Sequence, residues 1–490
     1  MSDLLSSVLS NVWTLALAVL LLGLSIFIHE LGHFLAARRR GVKVERFSIG
    51  FGPAIWSRRG NDGVEYRVSW IPLGGYVLLP QIADLGAIEG DSPSDGSRSP
   101  DLISSDVAKL PALTYGTKLI VLVAGATFNV LLAFALACVL WVIGLPESNV
   151  TSSTRIGYIA PTLDLSDGTT VPSPALEAGL QVGDIVQAID GHTVKDWNEV
   201  KASLMLGDGR SASGERQVIF MVERQGRPMQ IALQPRIAGE QKERRVGIAP
   251  GYELIVHGVT AGSVGQHAGF QRNDEILRLD ETPVLNEATY REYLDSTIAR
   301  SVVAHVRRNG AETTLTIPAT PSAKAGTRLG LDLTTGFRLT HPSPFTLLAD
   351  QAKMVFRSIW SLISPHSDVG LAQTSGVIGI IRIFQSAAEA GIRAVLIITI
   401  MVNVNLAIFN LLPIPVLDGG QILFATIARL RGRALPTNFV ITAQSVCFAL
   451  LISLIIYVGF FDARRLARDV SANRTESQLG PAPAAPAAKP

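Results

Sequence analysis

His29 and His33 flank Glu30 in the pentad His29-Glu30-Leu31-Gly32-His33. On a helix, positions i and i+4 place both imidazoles on one face, with a carboxylate beside them. Such a group can hold a Zn2+ ion and seat a general base next to it. The pentad closes an apolar run, Trp13 to Ala37, that has no other ionisable residue. Ionisable side chains are costly at membrane depth, so those that occur there mark functional positions.

A catalytic zinc takes three protein ligands and keeps one position open. The third candidate is Asp418, in the run Asn410-Leu-Leu-Pro-Ile-Pro-Val-Leu-Asp-Gly-Gly420. It is the one charge in an apolar stretch from about Ala394 to Ala428. Pro413 and Pro415 lack backbone donors and must break a helix there. Gly419 and Gly420 are expected to loosen it further. Irregular backbone at that depth is tolerated only inside protein or along a wet cavity. Asp418 is therefore expected to face the interior of a helix bundle.

The elements that must position these residues are membrane spans. Of 490 residues, 48% are apolar and 17% charged, with a mean hydropathy of +0.32. Soluble domains carry about 25% charged residues. Four stretches are long and apolar enough to cross a bilayer: Trp13–Ala37, Leu119–Leu145, Ala394–Ala428 and Leu435–Phe461. The first lacks the basic start and small-residue cleavage site of a signal peptide, so it is expected to be retained. A net charge of +2 gives no reason to expect nucleic acid as a partner. The two cysteines, Cys138 and Cys447, lie in apolar spans and exclude a disulfide framework.

Loop charge orients the spans. Arg38, Arg39, Arg40, Lys43 and Arg46 follow the first, and Arg429, Arg431 and Arg433 follow the third. The positive-inside rule puts both loops in the cytoplasm. Arg464, Arg465 and Arg468 after the fourth span run against this, but the short loops weigh more. At 1.5 Å per residue, His29 lies roughly 13 Å from Arg38, and Asp418 roughly 16 Å from Arg429 if helical. Both motifs reach a similar depth from one face.

Between the first two spans, Val44–Leu79 reads as β-structure. Glu65–Trp70 alternates polar and apolar residues, and Gly60-Asn-Asp-Gly63 before it signals a hairpin turn. Phe47, Phe51, Trp56, Trp70 and Tyr76 are expected to form an aromatic surface beside the bilayer. Ala83–Lys109, rich in Ser, Asp, Gly and Pro, reads as a flexible insert.

Outside lies an internal repeat. Ser173-Pro-Ala-Leu-Glu-Ala-Gly-Leu-Gln-Val-Gly-Asp184, continuing to Asp190, matches Ser263-Val-Gly-Gln-His-Ala-Gly-Phe-Gln-Arg-Asn-Asp274, continuing to Asp280. The two copies resemble the PDZ domains of bacterial proteases, which bind extended C-terminal segments at a sheet edge. They could act as a sensor, or simply as a size filter over the site. His192, His257, His267, His341 and His366 lie outside the spans and show no metal-ligand spacing. Phe345–Ile363 has the pattern of an interfacial helix.

Taken together, the chain resembles the site-2 protease family of intramembrane zinc metalloproteases over nearly its whole length. The resemblance rests on the pentad and on the Asn410–Gly420 run. It also rests on Ser48-Ile-Gly-Phe-Gly-Pro53, on Pro72-Leu-Gly-Gly-Tyr76, and on a Gly-x-x-x-Asn element from Gly125 to Asn129. Two positions depart from the family pattern, which has Pro where Ala126 and Val377 stand. The resemblance implies that Asn410 binds and unwinds the substrate segment, with Asn129, Pro413, Pro415 and Gly419 also contacting substrate. It implies that the β-element pairs with the opened strand.

The fold class expected is a multi-pass α-helical membrane protein of four spans. It carries a membrane-associated β-element on the cytoplasmic side and two external PDZ-like α+β domains. The boundaries are 1–38 for the first span, 39–117 for the β-element and insert, and 118–146 for the second span. The PDZ-like domains take 150–240 and 241–322, and an external amphipathic helical segment takes 323–390. The third span with its short link takes 391–433, the fourth span 434–462, and a disordered tail 463–490.

The activity expected is hydrolysis of a peptide bond in the transmembrane segment of a single-span protein, in a bacterial inner membrane. His29, His33 and Asp418 would hold Zn2+, and Glu30 would be the base. The resemblance implies the second cut in regulated intramembrane proteolysis of a membrane-anchored protein pre-trimmed outside, such as an anti-sigma factor, or the removal of leftover signal peptides. Two rivals are a catalytically silent PDZ-bearing scaffold and a metal transporter. The intact ligand set counts against the first. The clustering of all ionisable span residues in one place counts against the second.

Overall fold

The computed structural model describes residues 2–81, 113–165, 168–238, 243–319, 329–368 and 376–478. The expected flexible insert and the tail from Gly480 fall outside the described residues, as does Ser375. The chain divides into two compact units. One holds residues 1–143, 342–355 and 374–490, and the other 144–341 and 356–373.

The first unit carries four helices long and apolar enough to cross a membrane. They lie within the helices Ser2–Arg39, Tyr115–Ile143, Ile392–Asn410 and Thr437–Gln478. The second packs against both the first and the third. Its approach to the first is close because Gly32 has no side chain. A Cβ there would sit 2.5 Å from the Ala124 carbonyl oxygen.

Three expectations fail in this unit, each for a local reason. The third span does not run to Ala428. Its helix stops at Asn410, because Pro413 and Pro415 cannot donate to the ladder. The chain turns through 411–417 and a new helix, Asp418–Arg431, starts at the acid. Gly419 and Gly420 do not loosen that helix. Both are buried, and an added Cβ would overlap the Leu411 and Leu412 carbonyls at Gly419 and the Ile414 carbonyl at Gly420. They let the helix start lie directly on the preceding turn. The last helix continues through residues 463–478, where disorder was expected. No Gly or Pro occurs from Ala463 to Leu479, and Ala, Arg and Leu favour helix.

The β-element is more than a hairpin. The strands Arg46–Arg59 and Glu65–Leu78 bend sharply and pair twice. Residues 46–49 lie between 75–78 on one side and 65–68 on the other, and 65–69 also pair with 54–59. The result is four rungs, with 75–78 and 54–59 at the edges. The turn falls at Gly60–Gly63 as expected, with Gly63 at φ +80°. Trp56, Trp70, Ile55 and Ile71 are all more than half exposed, an apolar face suited to lipid. Phe47 does not join them. It is buried against Phe27, Phe34 and Tyr66.

The second unit contains the repeat, folded twice in one element order. A strand (Ile156–Ile159 or Leu254–Val259) precedes a one-turn helix (Pro174–Glu177 or Val264–His267). A second strand follows the motif Asp (Ile185–Ile189 or Glu275–Leu279), then a longer helix (Trp197–Met205 or Glu287–Ser296). A hairpin ends each copy, and each has its own apolar core. Asp184 and Asp274 are buried, and each takes a two-pronged ion pair from the hairpin, Arg224 and Arg308 respectively, at 2.7–2.8 Å. The same arginines also donate to the carbonyls of Gly179 and Gly269.

Both repeats run past their expected ends. Ile248–Pro250 pairs with Ile156–Ile159, and Leu331–Thr335 pairs with Leu254–Val259. Each copy thus closes with a strand that follows its hairpin, entered through a glycine with positive φ, Gly247 or Gly330. The segment 323–390 is accordingly mixed rather than helical throughout. Phe337–Thr340 pairs with Leu145–Ser148 before the helices Pro344–Ile363 and Val377–Ala390 begin. On Pro344–Ile363, Phe345, Phe356, Trp360 and Ile363 are exposed, as an interfacial helix requires.

Candidate metal centre

The pentad lies in the last three turns of the first helix, so both histidines share its inner face. His29 and His33 are buried, and their Nε2 atoms are 3.1 Å apart. Asp418, the first residue of its helix, brings Oδ2 to 3.1 Å from His29 Nε2 and 3.3 Å from His33 Nε2. A tetrahedral zinc with ligands at about 2.0–2.1 Å spaces them about 3.3 Å apart. The triangle fits that ion.

The donor chemistry also calls for a cation. His33 Nδ1 is 2.7 Å from the Val121 carbonyl, which can only accept, so Nδ1 carries the proton. Its Nε2 lone pair therefore points into the triangle. On the far side of His29, the Asn129 amide lies 3.3 Å from Nδ1. The Asn129 Oδ1 has no hydrogen-bond partner among the described residues. Rotating the amide places that oxygen as acceptor for a His29 Nδ1–H, and the second Nε2 lone pair then points inward too. Two lone pairs and a carboxylate converging within 3.3 Å repel one another unless a cation lies between them. His29, His33 and Asp418 are the one metal-capable group of this kind among the described residues.

Asn129 was expected among the substrate contacts. It is fully buried and faces the His29 ring, the position of a residue that orients a ligand. Asn129→Ala should weaken zinc binding about 10- to 100-fold. Competitive chelator titration of the purified protein measures this, and unchanged affinity would remove Asn129 from the site. Asn410, at the end of the third span, brings its amide to 3.3 Å from His29 Nε2, at the edge of the triangle. Pro413 is exposed and Pro415 half-buried on the turn that follows, ahead of the buried Gly419.

Gly125 matters in a way its motif did not reveal. A Cβ on it would overlap His33 Nε2 and lie 2.7 Å from His29 Cε1. The second span thus presents a gap, with Asn129 one turn on, for the histidine pair to enter. The i and i+4 spacing of Gly125 and Asn129 was the available signal. Ala126 sits in an unbroken helix, and Val377 is the first residue of its helix, where no backbone donor is needed. Neither departure disturbs the ligands.

Glu30, one position on from His29, lies against the β-element. A Cβ added at Gly75, on the 75–78 edge, would sit 3.3 Å from Glu30 Cγ. Glu30 and a sheet edge are therefore neighbours.

Apolar spanning helices around a buried two-histidine, one-carboxylate set with an adjacent glutamate define an integral membrane zinc metallopeptidase. The family model described as Peptidase family M50 matches residues 17–454, and the chain belongs to that family, whose type is the site-2 protease. Among its relatives, the regulator of sigma E protease of Salmonella typhi is 28% identical over 484 residues, 92% of this chain and 99% of the relative. The regulator of sigma-E protease RseP of Escherichia coli K12 is 28% identical over 483 residues, with the same coverage. Protease RseP of Yersinia pestis is 28% identical over 493 residues, again 92% of this chain and 99% of the relative.

Proposed function

We propose that the chain cleaves single-span membrane proteins within their transmembrane segment, as the second cut after external trimming. The observation that carries this is the meeting of three ligand atoms within 3.3 Å, with Glu30 beside them, on helices apolar enough to lie in a bilayer. When bound, Zn2+ supplies Lewis acidity to a scissile carbonyl and makes a water easier to deprotonate. The Glu30 carboxylate accepts the water proton and returns it to the leaving amine. His33 is held in one tautomer by Val121, and His29 by Asn129.

A substrate helix hides its carbonyls in its own hydrogen bonds and must open before attack. The 75–78 edge beside Glu30 offers backbone partners for an extended strand. Asn410 holds the opened segment near the metal, and the 411–417 turn with Pro413, Pro415 and Gly419 shapes its path.

The site lies toward the cytoplasmic face of a bacterial inner membrane and the repeats in the periplasm, a reading the loop arginines support. The repeats act as PDZ-like domains. In the second, a cavity of about 240 Å³ lies between the helix Glu287–Ser296 and the closing strand Leu331–Thr335, lined by Tyr290, Arg291, Leu331 and Leu333. That groove suits an extended C-terminal segment left by a first cut. The regulatory names of the relatives favour a membrane-anchored anti-sigma factor as the substrate class.

The test uses the full chain in vesicles with a single-span protein, either intact or lacking its external domain. A cut inside the span, blocked by chelator and confined to the trimmed protein, is expected. Binding without cleavage would favour the scaffold, and zinc flux without cleavage the transporter; either result overturns the proposal.

A further inference from the structure

Three arginines of the first repeat converge on one carboxylate. Asp368 Oδ2 accepts from Arg244 Nε at 2.6 Å and from Arg216 Nε at 2.9 Å. Arg210 Nη2 reaches Oδ1 at 3.4 Å and the His366 carbonyl at 2.7 Å. Burial alone would push the Asp368 carboxyl up, but the bonds from Arg216 and Arg244 outweigh it and hold the group below the usual range. Asp368 is ionised at neutral pH.

The match is incomplete. Asp190 also lies within electrostatic reach of Arg244, yet Arg244 is fully buried with Nη1 and Nη2 lacking any hydrogen-bond partner among the described residues. Leaving buried donors unmade is costly. A guanidinium is built to grip a carboxylate through two parallel bonds, yet from Arg244 Asp368 takes only Nε. The site has more donors than its occupant uses.

Two further side-chain hydrogen bonds hold the occupant's segment to the repeat. Ser364 donates to Asp208 at 2.8 Å, and Arg357 donates to Ser203 on the helix Trp197–Met205 at 3.0 Å. An open cavity of about 240 Å³ adjoins the cluster through Arg216, lined also by Glu215, Gln234 and Arg236. A chain segment approaching the arginines has room to lie there.

We propose that Arg210, Arg216 and Arg244 form a carboxylate site that Asp368 fills as an internal ligand, and that a peptide bearing a free C-terminal carboxylate displaces it. The segment Arg357–Asp368 then undocks from the first repeat when such a peptide binds. This rests on the PDZ-like reading of the repeats but needs no metal, so its failure would leave the proposed cleavage standing.

The probe is a fluorescent hexapeptide with a free C-terminus, compared with its C-terminal amide, on the full-length protein in detergent. Removing the competitor as Asp368→Asn should tighten binding of the acid by about tenfold, because the open site no longer has to be freed first. The amide should gain nothing, and adding Arg216→Gln should cancel the gain. In the unsubstituted protein, saturating acid probe should raise amide hydrogen exchange across 364–368. Equal binding by the parent and Asp368→Asn, equal affinity for acid and amide, or unchanged exchange with the probe bound would each overturn the proposal.

Discussion

The Glu30→Gln chain is expected to keep its zinc and lose its peptidase activity by about 10²- to 10⁴-fold, the contribution of a positioned general acid–base. Glu30 is not one of the three ligand atoms, so the triangle of His29, His33 and Asp418 stays intact. The amide fills the same volume against Gly75 and cannot take a proton from water. Metal analysis of the purified variant, beside cleavage of a reconstituted single-span substrate, measures both halves. A variant that cleaves normally would assign the proton transfer to another group. One that loses metal would make Glu30 a structural partner of the site.

Gly125→Ala is expected to be nearly as damaging by a different route. Its methyl would enter the space of His33 Nε2, the atom that should face the metal. Either the imidazole turns away or the first and second helices separate. Overpacking of this kind costs about 1–3 kcal/mol. Gly32, packed on Ala124, leaves little slack for separation. Zinc affinity and cleavage should therefore fall together, by about 100-fold, while the helix content seen by circular dichroism holds. Full zinc binding in Gly125→Ala would mean the helices yield easily there.

The pentad and Asp418 could be read in the chain because their signals are local. An i, i+4 pair fixes its own geometry on a helix, and a single acid in an apolar stretch stands out by cost alone. The two repeats were legible for the same reason, as a run of matched residues. Less was legible where meaning depends on what lies across a gap. Gly125, Gly419 and Gly420 look like flexible points in a string of residues. In the fold each is an absence of side chain that lets another backbone or ring approach. Asn129 likewise turns toward His29; its i, i+4 spacing from Gly125 marks a shared face but not what that face meets. Arg224 and Arg308 escaped notice because the visible repeat ends at Asp190 and Asp280, although the hairpins beyond it hold the partners of Asp184 and Asp274. The closing strands 248–250 and 331–335 are short and follow their hairpins, so composition assigned them to the next segment.

The proposed metal ligands stand 389 positions apart in the chain, His29 on the first span and Asp418 just beyond the third. A cation shared between them is a thermodynamic bond between those two elements. Reciprocity follows: whatever prises the Asp418 helix from the pentad must weaken the hold on zinc, by the same free energy with which zinc opposes the movement. Under the proposed mechanism, a substrate strand wedging in beside Glu30 would work against that bond. The enzyme's grip on its metal and its willingness to open are therefore one quantity, set by how tightly Gly125, Gly419 and Gly420 let the pieces close.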